Sequence, residues 1–289
     1  MNQSKSFVSI SLAALSVSAF AQSPFATQVV SSTGLNNTGL YDDPQAVLGK
    51  PTTVFKNLPG PGVSGNGRVK LVEAAYNTDP AGNKLITTIN QGQSVTVKFD
   101  HQVTDDAANP FGLDFIVFGN AFFTSNGFVS DASNMNTLKI TGGAFLEPLQ
   151  ISVSQDDVSW YTYTNGPYGD SLFPTQAYKW DRANAKWTDQ EEDFTKPVNP
   201  ALTRANFTNI TGADGIDLYN GSGGGTGFDL APSGYSWIQY IRVTGVSGFS
   251  GGEIDAFSDV SPMAAPVPEP LSFLVLGLGF VGLRRRRSR

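Results

Sequence analysis

The sequence predicts an all-β protein built around a single β-sandwich, and three observations support this fold class. Short segments with apolar or alternating character recur through the central part of the chain. Gly, Asn, Asp and Pro residues separate these segments as turns, and no stretch has the convincing periodicity of an amphipathic helix. About 240 residues lie between the two unusual ends of the chain, which is enough for one large β domain.

The first residues have the features of a secretory signal peptide. Lys5 supplies a positive charge, residues 7–17 form an apolar run of mostly small side chains, and Ala19 and Ala21 have the A-x-A spacing that signal peptidase accepts. We therefore expect signal peptidase to remove residues 1–21 and the remaining protein to be exported.

Six strand candidates follow in the central region. Residues 94–99 (SVTVKF) alternate, with Val95, Val97 and Phe99 on one face, and residues 113–118 (LDFIVF) form a continuous apolar run. The continuous run predicts a central strand that is covered on both faces. The other candidates are residues 149–154 (LQISVS), 158–163 (VSWYTY), 237–243 (WIQYIRV) and 252–257 (GEIDAF).

Three polar side chains beside these strands are interpreted as turn residues. Asp156 and Asp157 lead from one strand candidate into the next. Neighbours in a turn point apart, whereas the two acids of a glycosidase face each other at about 5 to 9 Å, so we predict a hairpin turn rather than a catalytic pair. His101, the single histidine, follows a strand pattern and is predicted to be a solvated turn residue.

Residues 163–236 differ from the rest of the central region. They combine several large aromatic side chains, the acidic run 189–194 (DQEEDF) and the Gly-rich stretch 220–230 (NGSGGGTGFDL). The aromatic residues predict an ordered insertion that packs on the sandwich. Residues 221–227 lack the lysine and the strand-to-helix context of a phosphate loop, so a flexible loop is expected there.

Aromatic side chains in and just before this insertion are candidate sugar-binding residues, because pyranose C–H faces stack on tyrosine and tryptophan rings. The alternative is that the same rings belong to the hydrophobic core. The candidates are Trp160, Tyr161, Tyr168, Trp180 and Trp187.

The C-terminal tail combines three features in a fixed order. The tripeptide Pro268, Glu269 and Pro270 precedes thirteen uncharged residues, 271–283, and an arginine cluster follows at once. A helix of that length spans roughly 20 Å, which is short of the ~30 Å hydrocarbon core of a bilayer. The tail is thus expected to form a short hydrophobic helix that anchors the protein in a membrane only transiently.

These three features resemble the PEP-CTERM sorting signal over residues 264–289. The resemblance implies that an exosortase, a membrane-embedded cysteine enzyme, processes the tail and that Glu269 serves recognition. It also implies a Gram-negative bacterium and a cell-surface or biofilm-matrix location, with a transient stage at the inner membrane.

Charge and cysteine content restrict the function of residues 22–263. The chain has 19 Lys and Arg and 25 Asp and Glu, and the two end segments hold six of the basic residues and one acid. The central domain therefore has a net charge of about −11, which disfavours nucleic acid as a partner. With no cysteine and one histidine, a structural zinc site is not expected.

Several short stretches together resemble exported bacterial proteins with a galactose-binding-like jelly-roll, a fold shared with discoidin-like and carbohydrate-binding modules. The resemblance runs over most of residues 38–259 and is carried by residues 41–51 (YDDPQAVLGKP), 113–122 (LDFIVFGNAF), 151–161 (ISVSQDDVSWY), 225–231 (GTGFDLA) and 240–257 (YIRVTGVSGFSGGEIDAF). It implies a single jelly-roll β-sandwich into which residues 163–236 are inserted.

Two pairs of acids are candidate ligands for calcium. Glu253 and Asp255 lie two apart in a strand candidate, so both carboxylates are expected on one face about 7 Å apart. In galactose-binding-like folds a structural Ca²⁺ often lies where the first and last strands meet, and the resemblance implies this role for Asp42 and Asp43 of the early loop together with Glu253 and Asp255. The alternative is a solvated acidic edge.

These expectations together describe a non-enzymatic, exosortase-sorted protein that binds or organises extracellular polysaccharide. One alternative is a structural matrix protein without a defined ligand. A second is a secreted polysaccharide hydrolase or lyase whose acids lie in the insertion.

Overall fold

The computed structural model describes residues 22–58, 65–248 and 251–260. The predicted signal peptide at 1–21 and sorting signal at 264–289 lie outside these residues. Among the residues that the structure describes, strands account for 40% and helices for 10%, in several antiparallel sheets, so the predicted all-β class is confirmed. Among the described residues, no helix has the length and apolar character needed to span a bilayer.

The first eight strands belong to the part of the chain before residue 146. They are β1 (Gln28–Thr33), β2 (Val54–Lys56), β3 (Asn66–Arg68), β4 (Thr87–Ile89), β5 (Ser94–Thr104), β6 (Phe115–Gly119), β7 (Phe122–Ser125) and β8 (Lys139–Phe145).

The remaining strands are β9 (Leu149–Ser154), β10 (Tyr161–Thr162), β11 (Tyr178–Asp181), β12 (Lys186–Glu191), β13 (Thr208–Thr211), β14 (Thr226–Phe228), β15 (Trp237–Gly245) and β16 (Gly252–Asp259). One α-helix, α1 (Gly212–Tyr219), lies between β13 and β14, and 3₁₀ turns occupy Pro44–Val47, Pro110–Gly112, Arg204–Phe207 and Ala231–Ser233.

Two antiparallel sheets share the largest hydrophobic cluster. One has the strand order β1-β5-β15-β9-β10, and the other has the order β14-β6-β16-β4. Val95 and Val97 of β5 pack in the same cluster as Phe115 and Val117 of β6 and Phe257 of β16. All six strand candidates overlap strands of the structure, and the predicted buried face of β5 is confirmed.

The continuous apolar run at β6 has the two covered faces that the sequence predicts. Phe115 and Val117 belong to the cluster between the two sheets, whereas Ile116 and Phe118 belong to a second cluster with Phe194 of the long segment that follows. β6 lies between β14 and β16 in its sheet, so both of its edges and both of its faces are occupied.

Residues 163–236 contain the β11–β12 hairpin, β13, α1 and β14. A third hydrophobic cluster joins Phe207 and Tyr219 of this segment to Leu71, Phe123 and other residues from outside it. α1 was not expected from the sequence. Its eight residues are too few for clear periodicity, but a capping box between Thr211 and Asp214 marks its start.

Two expectations about loops are wrong. His101 lies within β5 and its side chain is only 3% exposed. Its two ring nitrogens pair with the carboxylates of Asp100 and Asp259. Residues 222–226 of the Gly-rich stretch are buried instead of forming a flexible loop. A side chain at Gly224 would lie 2.2 Å from the carbonyl oxygen of Pro174, so glycine allows the close backbone approach there.

The predicted turn at Asp156 is confirmed, since its Oδ1 accepts the Val158 N–H at 2.9 Å.

Candidate functional site

A cavity with aromatic walls lies beside the end of β10. Its volume is about 490 Å³, and most of its lining residues come from the segment 163–236. Leu113, Leu172, Phe173 and Val198 supply apolar surface, and the side chains that offer aromatic or polar groups are Tyr161, Tyr163, Asn165, Tyr168, Ser171, Thr226 and Asp229. We call this cavity the tyrosine pocket.

Packing and hydrogen bonds hold the walls of the tyrosine pocket in position. Tyr163 is buried, its hydroxyl donates to the Asp229 carbonyl oxygen at 2.8 Å, and its ring packs edge-to-face on Tyr161 and Phe228. Burial raises the pKa of Tyr163 well above its usual range, so this side chain stays neutral. The Tyr168 hydroxyl donates to the Thr164 carbonyl at 3.4 Å. The pocket is therefore largely formed before a ligand arrives.

One acid of the tyrosine pocket belongs to a group of three. Carboxylate oxygens of Asp105, Asp114 and Asp229 lie within 4.8 Å of one another. Asp114 is fully buried and accepts the Leu230 N–H at 2.8 Å, and burial raises the pKa of its carboxyl. Asp229 is half-buried and borders the cavity.

A second group of three acids joins parts of the chain that are far apart in sequence. Oxygens of Glu147, Asp170 and Glu253 lie within 4.8 Å of one another. The buried Asp170 accepts the Ala121 N–H at 2.7 Å through Oδ1 and the Glu253 N–H at 2.9 Å through Oδ2. Either group of three could hold a metal ion with its oxygen ligands.

The electrostatics of this second group are those of carboxyls that share protons. Burial raises the pKa of Asp170 to about 7. Burial also raises the pKa of Glu253 to about 8, and a hydrogen bond to Glu147 and the charges of Asp170 and Glu147 add to the effect. At neutral pH such a group lowers its repulsion either by keeping protons or by binding a cation.

The structure brings one of the four sequence-predicted calcium ligands, Glu253, into a group of three acids. Asp42 accepts the Gly39 N–H at 2.7 Å and pairs with Lys84. Asp43 accepts the Gln45 N–H at 2.9 Å at the start of a 3₁₀ turn.

Asp255, the fourth predicted ligand, is turned to a different part of the molecule. It is buried and binds both the N–H and the hydroxyl of Thr52, at 2.8 and 2.7 Å. Burial raises its pKa to about 7.

Simple strand alternation fails at the Glu253 and Asp255 pair because β16 contains a bulge. The register with β6 shifts between Ile254 and Ala256. Ile254 then packs in the cluster between the two sheets and Ala256 packs in the second cluster. The two acids accordingly have separate partners, Thr88 for Glu253 and Thr52 for Asp255.

Two of the five aromatic residues that the sequence suggested for sugar binding, Tyr161 and Tyr168, line the tyrosine pocket. Trp160 lies elsewhere, with the Arg242 guanidinium 3.8 Å from its ring centroid. Trp180 and Trp187 pack edge-to-face on each other at 5.0 Å and belong to the margin of the third hydrophobic cluster. For these two tryptophans the alternative of core packing is the one that the structure supports.

Sequence reasoning missed Asp229, Asp170 and Glu147. Asp229 lies in the stretch 225–231 (GTGFDLA), which carried a resemblance but suggested no site. Asp170 and Glu147 have no motif in common with Glu253, because the three come from separate segments that only the fold brings together.

A second, more polar cavity of about 400 Å³ lies beside β2 and β3. Arg68 lies over the Tyr178 ring at 5.3 Å and pairs with Asp131 at 3.0 Å. Asp189 is a second acidic partner, with its Oδ1 3.5 Å from the Arg68 guanidinium. Because these two acids already balance the charge of Arg68, this cavity is a weaker candidate for ligand binding than the tyrosine pocket.

The comparisons with known proteins add no relative: no protein-family model matches this chain, and a search of curated proteins returned no significant match.

Proposed function

We propose that this protein is a non-enzymatic, exported surface or matrix protein that binds extracellular polysaccharide in the tyrosine pocket. One observation carries the proposal: a preformed cavity of about 490 Å³ has tyrosines and polar side chains in its wall. Cavities of ~300 to 1,000 Å³ with a mostly apolar lining and a few polar groups are typical of small-ligand sites.

The lining fits the two surfaces of a sugar ring. Tyr161 and Tyr168 offer aromatic surface to pyranose C–H groups. Asn165, Ser171 and Asp229 offer donors and acceptors to the sugar hydroxyls. A purely structural matrix protein would have no need for this combination in one cavity.

Binding is favoured over cleavage by the acids that border the pocket. Glycosidases use two carboxyl groups that face each other across the substrate at about 5 to 9 Å. Asp229 is the single acid among the described residues that line this cavity, and both oxygens of Asp114 accept backbone N–H groups. This arrangement supports a binding protein more than a hydrolase or lyase.

The proposed location is the cell surface or matrix of a Gram-negative bacterium. The sequence features at residues 1–21 and 264–289 support export by way of signal peptidase and a transient inner-membrane stage that an exosortase ends. The two sheets with a shared core are compatible with the proposed galactose-binding-like jelly-roll.

We also propose that a structural calcium ion stabilises the protein, with Glu147, Asp170 and Glu253 among its ligands. Calcium is a hard cation that takes six to eight oxygens, and these carboxyls cluster within 4.8 Å. Of the sequence-predicted ligands, this set retains Glu253 alone. Asp42, Asp43 and Asp255 are not included because they do not belong to the group of acids whose oxygens lie within 4.8 Å of one another.

Glycan-array binding of the purified protein tests the function. Tyr161→Ala and Tyr168→Ala are expected to weaken binding by about tenfold each, because each removes aromatic contact surface. The matched control is Tyr240→Ala, since Tyr240 is a half-buried strand tyrosine that packs against Lys98 and does not line the pocket.

Three outcomes are distinguishable. Glycan binding that both pocket variants lose and the control keeps would support the proposal. No binding to any glycan would favour the structural matrix protein. Release of reducing ends from a polysaccharide, lost on substitution of Asp229, would favour the enzyme.

A further inference from the structure

The charge of the tyrosine pocket restricts the class of glycan that it can take. Among the described lining residues Asp229 is the one acidic side chain, and none of them is Lys, Arg or His. An anionic sugar would therefore meet a negative charge in the wall without a cation to balance it.

Two further acids lie close to Asp229. Asp105 and Asp114 lie with it in the group whose oxygens are within 4.8 Å of one another. In the described part of the chain, no ion pair joins any of these three carboxylates to a basic side chain. Asp114 and Asp229 instead accept hydrogen bonds from backbone N–H groups.

Asp229 keeps an acceptor available beside the pocket. Its Oδ1 accepts the Ala231 N–H at 2.8 Å, and the other oxygen has no hydrogen-bond partner among the residues that the structure describes. A half-buried carboxylate with a spare oxygen next to an open cavity is a natural acceptor for an N–H donor that carries positive charge.

The aromatic walls favour the same kind of ligand. The faces of tyrosine rings carry negative potential and attract cations that approach within about 6 Å of the ring centre. Tyr161, Tyr163 and Tyr168 all line this cavity together with Asp229. The net charge of about −11 on residues 22–263 adds a long-range attraction for a cationic polymer and repels a uronic or sulfated one.

We infer that the tyrosine pocket takes an amine-bearing, cationic glycan, with the ammonium group of the sugar at Asp229. This inference rests on the proposed polysaccharide-binding function and names the substrate class of the same site.

The test compares three oligosaccharides of equal length by calorimetry: a glucosamine oligomer, its fully N-acetylated form and an oligouronate. Measurements are made at pH 6, where most amino groups are protonated, and in chelator so that no divalent ion occupies the acids. We expect the glucosamine oligomer to bind about tenfold more tightly than the N-acetylated form, because it alone makes a charge-assisted hydrogen bond.

Two variants assign the preference to Asp229. Asp229→Asn removes the charge and keeps an oxygen for the Ala231 N–H, so the glucosamine preference should disappear while the N-acetylated oligomer still binds. Asp193→Asn is the matched control, because the exposed Asp193 makes the same kind of turn bond, to the Thr195 N–H at 2.9 Å, and does not line the pocket.

The outcomes separate this inference from the proposed function. Equal or tighter binding of the N-acetylated or uronate oligomer, still sensitive to Tyr168→Ala, would overturn the cationic class and leave polysaccharide binding standing. A glucosamine preference that Asp229→Asn leaves unchanged would also overturn it. Absence of binding by all three oligomers and on the glycan array would overturn both proposals.

Discussion

His101 is the single histidine of the 289-residue chain, and it lies between two carboxylates. Its Nδ1 is 2.7 Å from Asp100 Oδ1 and its Nε2 is 2.8 Å from Asp259 Oδ2. Burial would by itself lower the pKa of His101, but the hydrogen bonds and charges of Asp259 and Asp100 outweigh burial and raise that pKa above 6.5. Because Asp100 also accepts the Ser23 N–H at 3.1 Å, this histidine ties the start of the domain to the end of β16.

We expect His101→Gln to destabilise the protein by about 2 kcal/mol at pH 5.5. Breaking a fully buried ion pair costs about 3–5 kcal/mol, and the 38% exposure of the Asp100 side chain reduces that figure. Since the folded-state pKa is raised, the stability that His101 contributes is fully present below the unfolded value near 6.5 and is lost as the pH rises through the folded value. Urea unfolding of both proteins at pH 5.5 and 9 measures this difference.

The single histidine makes the interpretation direct, because an imidazole signal in NMR belongs to His101 alone. A destabilisation of the same size at both pH values would mean that packing, and not the charge of the imidazolium, explains the effect of His101→Gln.

The strands show where pattern-based prediction works and where it fails. Alternation correctly predicts the buried faces of residues 94–98 in β5 and of β9, since these segments pair with β15 without a register shift. In β16 the bulge near Asp255 changes which face each side chain occupies, so Ile254 and Ala256 end in different clusters. A bulge depends on the pairing with the partner strand, so the alternation of side chains along one strand cannot predict it.

At the end of β15, Gly245 lets another chain segment approach closely. A Cβ atom there would lie 2.1 Å from the Asn90 carbonyl oxygen. We expect Gly245→Ala to destabilise the protein by about 2–3 kcal/mol, because one of the two backbones must move. The control is Gly127→Ala, whose Cβ would meet only the Leu138 side chain at an ordinary 3.7 Å.

Thermal unfolding followed by circular dichroism measures both glycine variants. For a domain of this size the Gly245→Ala change corresponds to a fall in Tm of about 5–10 °C, and the Gly127→Ala change should shift Tm by less than about 2 °C. Equal melting temperatures for the two variants would show that β15 tolerates the extra methyl group.

On the scale of the whole molecule, the group of Glu147, Asp170 and Glu253 connects the approach to β9, the segment 163–236 and β16. Two of these carboxyls have raised folded-state pKa values, about 7 for Asp170 and about 8 for Glu253, with burial as the main cause. Without a cation, the stability that the protonated forms contribute is therefore present at acidic pH and is lost as the pH rises through 7 and 8.

Calcium is expected to reverse this loss, because the ion replaces the protons and balances the ionised carboxylates. Millimolar calcium should therefore raise Tm more at pH 8 than at pH 6, relative to chelator. An ion at about a hundredfold excess over its Kd adds about 2.7 kcal/mol to the free energy of unfolding. The test variant is Glu147→Gln, which removes one half-exposed carboxylate of the group and should reduce the calcium effect at pH 8.

Identical melting temperatures with calcium and with chelator at pH 8 would contradict the calcium proposal. Asp42→Asn provides a further check on the ligand set, because Asp42 is bound to Gly39 and Lys84 and its substitution should leave the calcium effect intact.

The sequence by itself determined the all-β class, the positions of five principal strands and the two-sided burial of β6. These features depend on local periodicity and composition, which can be read from one segment without knowing what it packs against. It also pointed to Tyr161 and Tyr168 as aromatic ligand candidates, but it could not separate them from Trp180 and Trp187, because an aromatic ring is equally suited to a pocket wall and to a core.

Only the tertiary structure decided which acids meet and which polar side chains are buried. Asp229 joins Asp105 and Asp114, and Glu253 joins Glu147 and Asp170, so that each group spans more than a hundred residues of the sequence. His101 becomes buried because Asp259 comes from the other sheet to meet it. Contacts of this kind arise from strand order and from a bulge in β16, and both are properties of how distant segments pair.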